Sequence, residues 1–334
     1  MKMRTIDEIT SGRRMRRNRR FEWNRRLVRE HSLNSDDLIW PIFLVEGEGV
    51  VEPLRLLPGI NRYSIDEAVK AAGEAFALGV PAVATFPNIA QNLRDITGSR
   101  ILDPDGLINQ FTRALKKQVP EMGVITDVAL DPFTSSGHDG IVREGIIVND
   151  ETVEQICRAA IVQAEAGADI VSCSEMMDGR VGAIRDALNG AGFNDTGILS
   201  YTAKYASSFY GPYREAVGTD KMLKGDKSTY FMDPANSDEA LHEARLDIDE
   251  GADILMVKPG QPYLDIIRRL KDEFAMPTFA YQVSGEYAMI MAGAEKGFLD
   301  EERAIIESLT CFKRAGADAI LTYFAPRVAE ILKR

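Results

Sequence analysis

The sequence predicts a (β/α)8 TIM barrel, an α/β fold, with an extended N-terminal arm. Three observations predict it: eight apolar runs of strand length along 334 residues, helical periodicity between most of them, and a thrice-repeated Gly-Ala-Asp where helix passes into strand. With 45% apolar residues and no low-complexity stretch, the chain can bury a core of enzyme size.

The arm comes first. Residues 1–30 hold eleven Lys or Arg against four Asp or Glu, a net of +7, which leaves −18 for the rest of a chain totalling −11. The two regions should therefore attract each other. Gly12-Arg-Arg-Met-Arg-Arg-Asn-Arg-Arg could follow nucleic-acid phosphates. That role has no need of the apolar Met15, Phe21, Trp23 and Leu27, which favour an extension, residues 1–34, lying on the acidic body of a neighbouring subunit.

The barrel, residues 35–334, is predicted to use strands at 38–45, 82–87, 123–130, 169–174, 197–203, 253–257, 278–283 and 319–324. After the first, Ser64-Ile-Asp-Glu-Ala-Val-Lys-Ala-Ala-Gly-Glu-Ala-Phe opens with a cap residue and acids in its first turn, the pattern of a helix start. Ala166-Gly-Ala-Asp-Ile-Val, Glu250-Gly-Ala-Asp-Ile-Leu and Ala315-Gly-Ala-Asp-Ala-Ile end later helices. Gly167, Gly251 and Gly316 should take the left-handed conformation that stops a helix and turns it into a strand. A doubly wound open sheet is the competing architecture, but no Gly-x-Gly-x-x-Gly follows an early strand and no Walker loop occurs.

No apolar run approaches the ~20 residues of a membrane helix, and Met1-Lys-Met-Arg-Thr lacks the apolar core of a secretory signal. A cytoplasmic location without a membrane partner is expected. Cys157, Cys173 and Cys311 are odd in number and widely spaced, which argues against a disulfide framework or a cysteine zinc site and for buried thiols.

Loops after barrel strands converge on one face, which singles out Asp127, Asp131, Asp139, Ser174, Lys204, Lys258, Tyr281, Ser284 and Tyr323. Lys204 ends the run Gly197-Ile-Leu-Ser-Tyr-Thr-Ala, and Lys258 ends Asp253-Ile-Leu-Met-Val. A lysine entering a half-dry site loses hydration of its ammonium, so its pKa falls and a neutral amine becomes available for Schiff-base chemistry on a carbonyl. One such lysine could lie along the core and snorkel to water; two on successive strands weaken that reading. The segment Thr126-Asp-Val-Ala-Leu-Asp-Pro-Phe-Thr-Ser-Ser-Gly-His-Asp-Gly, with three aspartates and His138, could be a divalent-metal site, an acid/base cluster or a solvated turn. Residues 210–230, rich in Gly, Tyr and basic side chains, read as a mobile lid. Within it Arg214 and Lys227 offer cations to a substrate carboxylate, while Lys221 and Lys224 read as solvated loop lysines.

Asp127-Val-Ala-Leu-Asp-Pro-Phe-Thr, Ser174-Glu-Met-Met-Asp-Gly-Arg, Ala203-Lys-Tyr-Ala-Ser-Ser-Phe-Tyr-Gly-Pro-Tyr-Arg, Met256-Val-Lys-Pro-Gly and Tyr281-Gln-Val-Ser-Gly-Glu-Tyr resemble, in this order, the porphobilinogen synthase (5-aminolevulinate dehydratase) family. The likeness runs nearly end to end. It implies a hydro-lyase of tetrapyrrole (haem) biosynthesis that condenses two 5-aminolevulinate molecules to porphobilinogen with loss of two waters. By the resemblance, Lys258 forms an imine with the first substrate, and Lys204 holds the second as an imine that activates its C3. Ser284 and Tyr323 should bind the first carboxylate, Arg214 and Lys227 the second, and Tyr281 should pack near the first imine. Asp127 and Ser174 match the amino-group end of the pocket, where protons are transferred. Closure of the lid should exclude water.

Zinc-dependent members have cysteines where this chain has Ala129, Asp131 and Asp139, so no zinc is expected. The aspartate pair matches a variant whose oxygen ligands suit hard cations such as Mg2+ or K+. Ala129, and Ser136 in place of a common histidine, favour catalysis with no metal required at the active site. Phe231 stands where relatives often have glutamine, which should weaken the polar grip on the second carboxylate. Glu243 matches a carboxylate that binds an allosteric Mg2+ in some relatives; Arg245 or the arm could neutralise it instead. A homo-oligomer, hexamer or octamer, held through the arm is expected. The alternatives are a barrel aldolase with a single Schiff base and a nucleic-acid-binding protein led by the arm. Neither explains the paired lysines as well.

Overall fold

The computed structural model describes residues 3–219, 222, 223 and 225–334. Two units separate by their internal contacts, Met1–Ser32 and Leu33–Arg334. In the first, helices Ile6–Thr10 and Glu22–Leu27 flank a 3-10 turn at Met15–Arg19, and none of their residues is buried. Thr5 and Glu8 cap the first helix reciprocally, the Thr5 N–H donating to the Glu8 carboxylate at 2.7 Å and the Glu8 N–H to the Thr5 hydroxyl at 3.3 Å. Phe21 and Trp23 stack at 6.2 Å, while Ile6, Ile9, Met15 and Leu27 stay exposed.

The second unit is a closed parallel barrel of strands β1 Leu38–Leu44, β2 Ala82–Pro87, β3 Gly123–Asp127, β4 Ile170–Cys173, β5 Gly197–Lys204, β6 Ile254–Lys258, β7 Thr278–Gln282 and β8 Ala319–Thr322. Each strand pairs with the next, and β8 closes onto β1 through Leu38↔Ile320 and Ile39↔Leu321. A short antiparallel ribbon, Val51–Pro53 with Asn61–Tyr63, extends from the end of β1. Buried on both faces, the strands read as nearly continuous apolar runs, which is why they were legible. Amphipathic helices cover the barrel, among them α1 Ile65–Ala77, α2 Leu107–Gln118, α3 Asn149–Glu165 and α4 Arg180–Gly190. Among the described residues no helix is long and apolar enough to cross a membrane.

Several boundaries differ from prediction, each for a local reason. Strand β3 stops at Asp127, three residues early, because the Asp127 carboxylate accepts the Ala129 N–H at 3.0 Å and turns the chain. Strand β7 stops at Gln282 because Glu286 accepts the Val283 N–H at 2.6 Å. Strand β8 stops at Thr322, whose hydroxyl accepts the Phe324 N–H at 3.2 Å. Ser64 precedes α1 as expected but does not cap it; its hydroxyl accepts the Val50 N–H at 2.8 Å. Of the cysteines only Cys173 is fully buried, and Cys157 and Cys311 are half-buried.

The repeat does more than end helices. Gly167, Gly251 and Gly316 have φ of 101°, 102° and 113°, and the aspartate two residues on from each ties the base of the barrel together. Asp169 accepts the Val124 N–H, Asp253 the Ile198 N–H and Asp318 the Thr278 N–H, each at 2.7 Å. Lys116, Arg185 and Lys271, from the helices that feed those strands, pair with the same carboxylates. These ion pairs are half-exposed and worth little; the strand N–H groups are not. Asp169→Ala, Asp253→Ala and Asp318→Ala should each lower stability by about 1–2 kcal/mol in urea unfolding and leave kcat unchanged.

Candidate active site

After a register shift between Leu255 and Val257, the pairing of β5 with β6 places Lys204 directly opposite Lys258 at the carboxyl end of the barrel. A cavity there is lined by Asp131, Asp139, Ser174, Lys204 and Lys258 from the barrel and by Tyr210, Tyr213, Arg214, Lys227 and Phe231 from the lid. Its free space, about 20 Å³, is room for little more than one water.

Lys258 sits in an aromatic cage. Its Nζ is 4.7 Å from the Tyr281 ring centroid, 5.2 Å from those of Tyr201 and Tyr213 and 5.4 Å from that of Tyr210. The amine has no hydrogen bond or ion pair among the described residues, although the Lys258 carbonyl accepts the Tyr205 N–H at 2.9 Å and the Tyr210 hydroxyl at 3.2 Å. Burial, followed by the positive charge of Lys204, lowers its pKa to about 7.

Lys204 is held differently. Its Nζ donates to Asp139 Oδ1 at 3.0 Å and to the Ser174 carbonyl, and lies 4.2 Å from the Phe231 ring centroid. The other Asp139 oxygen accepts from Lys227 and, at 3.0 Å, from the Tyr230 hydroxyl. Lys227 also reaches Asp131, at 3.8 Å. Burial opposes ionisation of Asp139, but the two ammonium groups beside it win and hold its carboxyl well below the usual range. Asp131, buried with weaker help from Lys227 and repelled by Asp139, is pushed up to about 6. Burial likewise raises Asp127 against the pull of Lys204. Lys227 loses solvation too, yet Asp139 and Asp131 raise its pKa.

The aspartate-rich loop is therefore no solvated turn: Asp127, Asp131 and Asp139 are all buried. His138 is brought in through Tyr230, 3.0 Å from its Nδ1. The lid contains a helix, Gly211–Val217, that the sequence reading missed. Arg62 donates to the Ala216 carbonyl at 2.7 Å, Asn88 to the same carbonyl at 3.1 Å and Arg94 to the Val217 carbonyl at 2.9 Å. Arg214 lines the cavity, and its side chain has no hydrogen bond or ion pair among the described residues. Lys221 and Lys224 lie outside the described residues.

Tyr281, Ser284 and Tyr323 stand behind the cavity wall. The Tyr281 and Tyr323 hydroxyls are 3.1 Å apart, and the Ser284 hydroxyl accepts the lid's Tyr213 N–H at 3.0 Å. Tyr201, Tyr210, Tyr213, Tyr230, Arg62 and Arg94 were not singled out as site residues; only the excess of tyrosine near Lys204 hinted at the cage. Glu243 does not line this cavity; it lines a neighbouring one together with Tyr230 and Phe231. It is half-buried, and burial, against the pull of Arg180, raises its carboxyl. Arg245 turns to Glu273 at 3.1 Å, so within the chain it does not neutralise Glu243.

The donor set does not fit a catalytic metal. Ala129 offers no ligand, no thiolate is present, and the charges of Asp139 and Asp131 are engaged by lysines. Among the described residues no three His, Cys, Asp or Glu side chains converge as a ligand set.

Comparison with known proteins gives the site its context. The family model described as delta-aminolevulinic acid dehydratase matches residues 12–331. The delta-aminolevulinic acid dehydratase of Bradyrhizobium diazoefficiens is 59% identical over 96% of this chain and 91% of its own length. That of Rhodobacter capsulatus is 51% identical over 96% of both. A crystal structure of the Toxoplasma gondii enzyme, also named porphobilinogen synthase and solved with the reaction product porphobilinogen, superposes with a TM-score of 0.93 at 48% identity over 96% of this chain and 91% of that one. With matches spanning almost its whole length, the chain belongs to the delta-aminolevulinic acid dehydratase family.

Proposed function

We propose that the chain condenses two 5-aminolevulinate molecules to porphobilinogen through Schiff bases on Lys258 and Lys204. The observation that carries this reading is the direct opposition of the two lysines on neighbouring strands in one buried site. Lys258, with its pKa near 7, supplies neutral amine to the first substrate's ketone. Lys204 holds the second, and Asp127 and Ser174 handle its protons. Arg214, whose side chain has no partner among the described residues, and Lys227 suit the second substrate's carboxylate, while Ser284 and Tyr323 serve the first. Two substrates do not fit in about 20 Å³, so residues 210–230 open for entry and close to keep water from the imines.

Catalysis requires no metal at this site. The reading is supported by lysine ammonium groups standing as the counter-charge of Asp131 and Asp139. Protein stripped with EDTA and phenanthroline should still form porphobilinogen, at a rate unchanged by added K+ or Zn2+, and any gain from Mg2+ should come with a change of assembly. Activity restored only by a metal would overturn the metal-free reading, and no product under any condition would overturn the function. The enzyme works in the cytoplasm as a homo-oligomer joined by arms whose exposed Ile6, Ile9, Met15 and Leu27 need a partner surface. The same preparation should sediment as a species several times 37.0 kDa, and a monomer would remove that role. An allosteric Mg2+ at Glu243 belongs to that assembly and not to the chemistry.

A further inference from the structure

Among the described residues Lys204 Nζ meets the Asp139 carboxylate, the Ser174 carbonyl, the face of Phe231 and, farther away at 5.8 Å, the ring of Tyr201. The first two each take an N–H of the ammonium ion, which has three. When Nζ adds to a ketone, the carbonyl oxygen leaves as water, and the protonated imine that results keeps its positive charge but only one N–H. It can satisfy one of the two oxygen acceptors and must release the other. An aromatic face responds to charge rather than to N–H count, so its attraction survives the change.

We propose that Phe231 is a cation–π partner that keeps the Schiff base on Lys204 protonated during the reaction. The inference rests on the Schiff-base role given to Lys204 above and adds a contact that acts on the reacting nitrogen itself. The ring centroid lies 4.2 Å from Lys204 Nζ and 5.6 Å from Lys227 Nζ. Only 5% of the residue is exposed, and water competes little for the cation there. Tyr230 and Tyr210 brace the ring edge-on, with centroids 4.8 Å and 6.3 Å away.

The backbone ties this contact to the strand that carries Lys204 as well as to the lid, where the Phe231 N–H donates to the Lys227 carbonyl at 2.9 Å. The Met232 N–H donates to the Lys204 carbonyl at 3.0 Å, and the Ala206 N–H donates to the Met232 carbonyl at 2.8 Å. Phe231 is thus joined through its neighbour to the strand end that carries Lys204. A protonated imine acidifies the adjacent C–H, which deprotonation at C3 needs; a neutral imine does not.

The test replaces Phe231 in the full-length protein by 4-fluoro-, 3,5-difluoro- and pentafluorophenylalanine, which keep the shape of the ring while draining its face of negative potential. Along this series kcat for porphobilinogen formation should fall stepwise, about tenfold or more in all, with KM little changed. The alkaline limb of the kcat–pH profile should move to lower pH, because a less stabilised iminium loses its proton sooner. Borohydride trapping of 5-aminolevulinate on Lys204 at alkaline pH, read by peptide mass spectrometry, should fall along the series, because borohydride reduces the protonated imine. A flat kcat with rising KM would make the ring a wall of the carboxylate pocket and overturn the proposal. Equal trapping on Lys204 along the series would overturn it, whereas no trapping on Lys204 in the unsubstituted protein would overturn the Schiff-base role instead, which separates the two failures.

Discussion

Lys258→Met protein is expected to fold and to form no measurable porphobilinogen, with kcat reduced by about 10⁴-fold or more, the scale seen when a covalent nucleophile is removed. Methionine fills the space of the lysine stem and asks nothing of the aromatic cage, in which the Lys258 amine has no hydrogen-bond partner among the described residues. The cage does give up four ring contacts to the amine, so the variant is tested for folding by its unfolding curve. In the unsubstituted protein the folded pKa of Lys258 is about 7, below the value near ~10.4 of an unfolded lysine. Between those values the unfolded chain binds more protons, so the contribution of Lys258 to stability rises with pH across that window. Lys258→Met should lack this rise.

The same pKa sets a kinetic sign. Borohydride trapping of 5-aminolevulinate on Lys258 should increase as pH rises through about 7 and then level off, as neutral amine replaces ammonium. Peptide mass spectrometry resolves Lys258 from Lys204. In Lys258→Met only Lys204 should carry label. Full activity in this variant, or an unlabelled Lys258 in the unsubstituted enzyme, would sink the two-lysine mechanism.

The second large effect is expected at Asp139. Asp139→Asn leaves the Lys204 and Lys227 ammonium groups without the carboxylate that pairs with both, in a site where all three residues are largely buried. Breaking a buried pair from one side costs about 3–5 kcal/mol unless the orphaned charges titrate. Urea unfolding should show that loss near neutral pH, and kcat/KM should fall at least about 10²-fold because the second lysine is no longer held in place. The folded pKa of Asp139 lies below its unfolded value, so its stabilisation is present above about pH 4 and is lost as pH falls further. The acid limb of the stability curve should therefore flatten in Asp139→Asn. A variant as stable as its parent from pH 3 to 8 would show that the lysines do not depend on this carboxylate.

Both effects turn on pairings that the sequence hid. Lys204 and Asp139 are 65 residues apart, and Lys227 and Asp139 are 88 apart. Read singly, Asp139 was a metal ligand, an acid/base group or a turn residue. Folding makes it the shared counter-ion of two lysines, which also changes what Asp131 can do, since its remaining partner is Lys227 at 3.8 Å. Burial decides the pKa values of all these groups, and burial is a property of the closed barrel and lid together.

Strand positions, the glycines at helix ends and the placement of two lysines at strand ends were written in the chain itself. Each is a local matter of side-chain period, φ preference or distance along a strand. The facing of Lys204 and Lys258, the tyrosine cage, the hold of Arg62 and Arg94 on the lid helix and the ring of Phe231 over a reacting nitrogen were decided only by tertiary structure. They depend on strand register and on side chains brought together across the barrel, and no short segment of sequence specifies either.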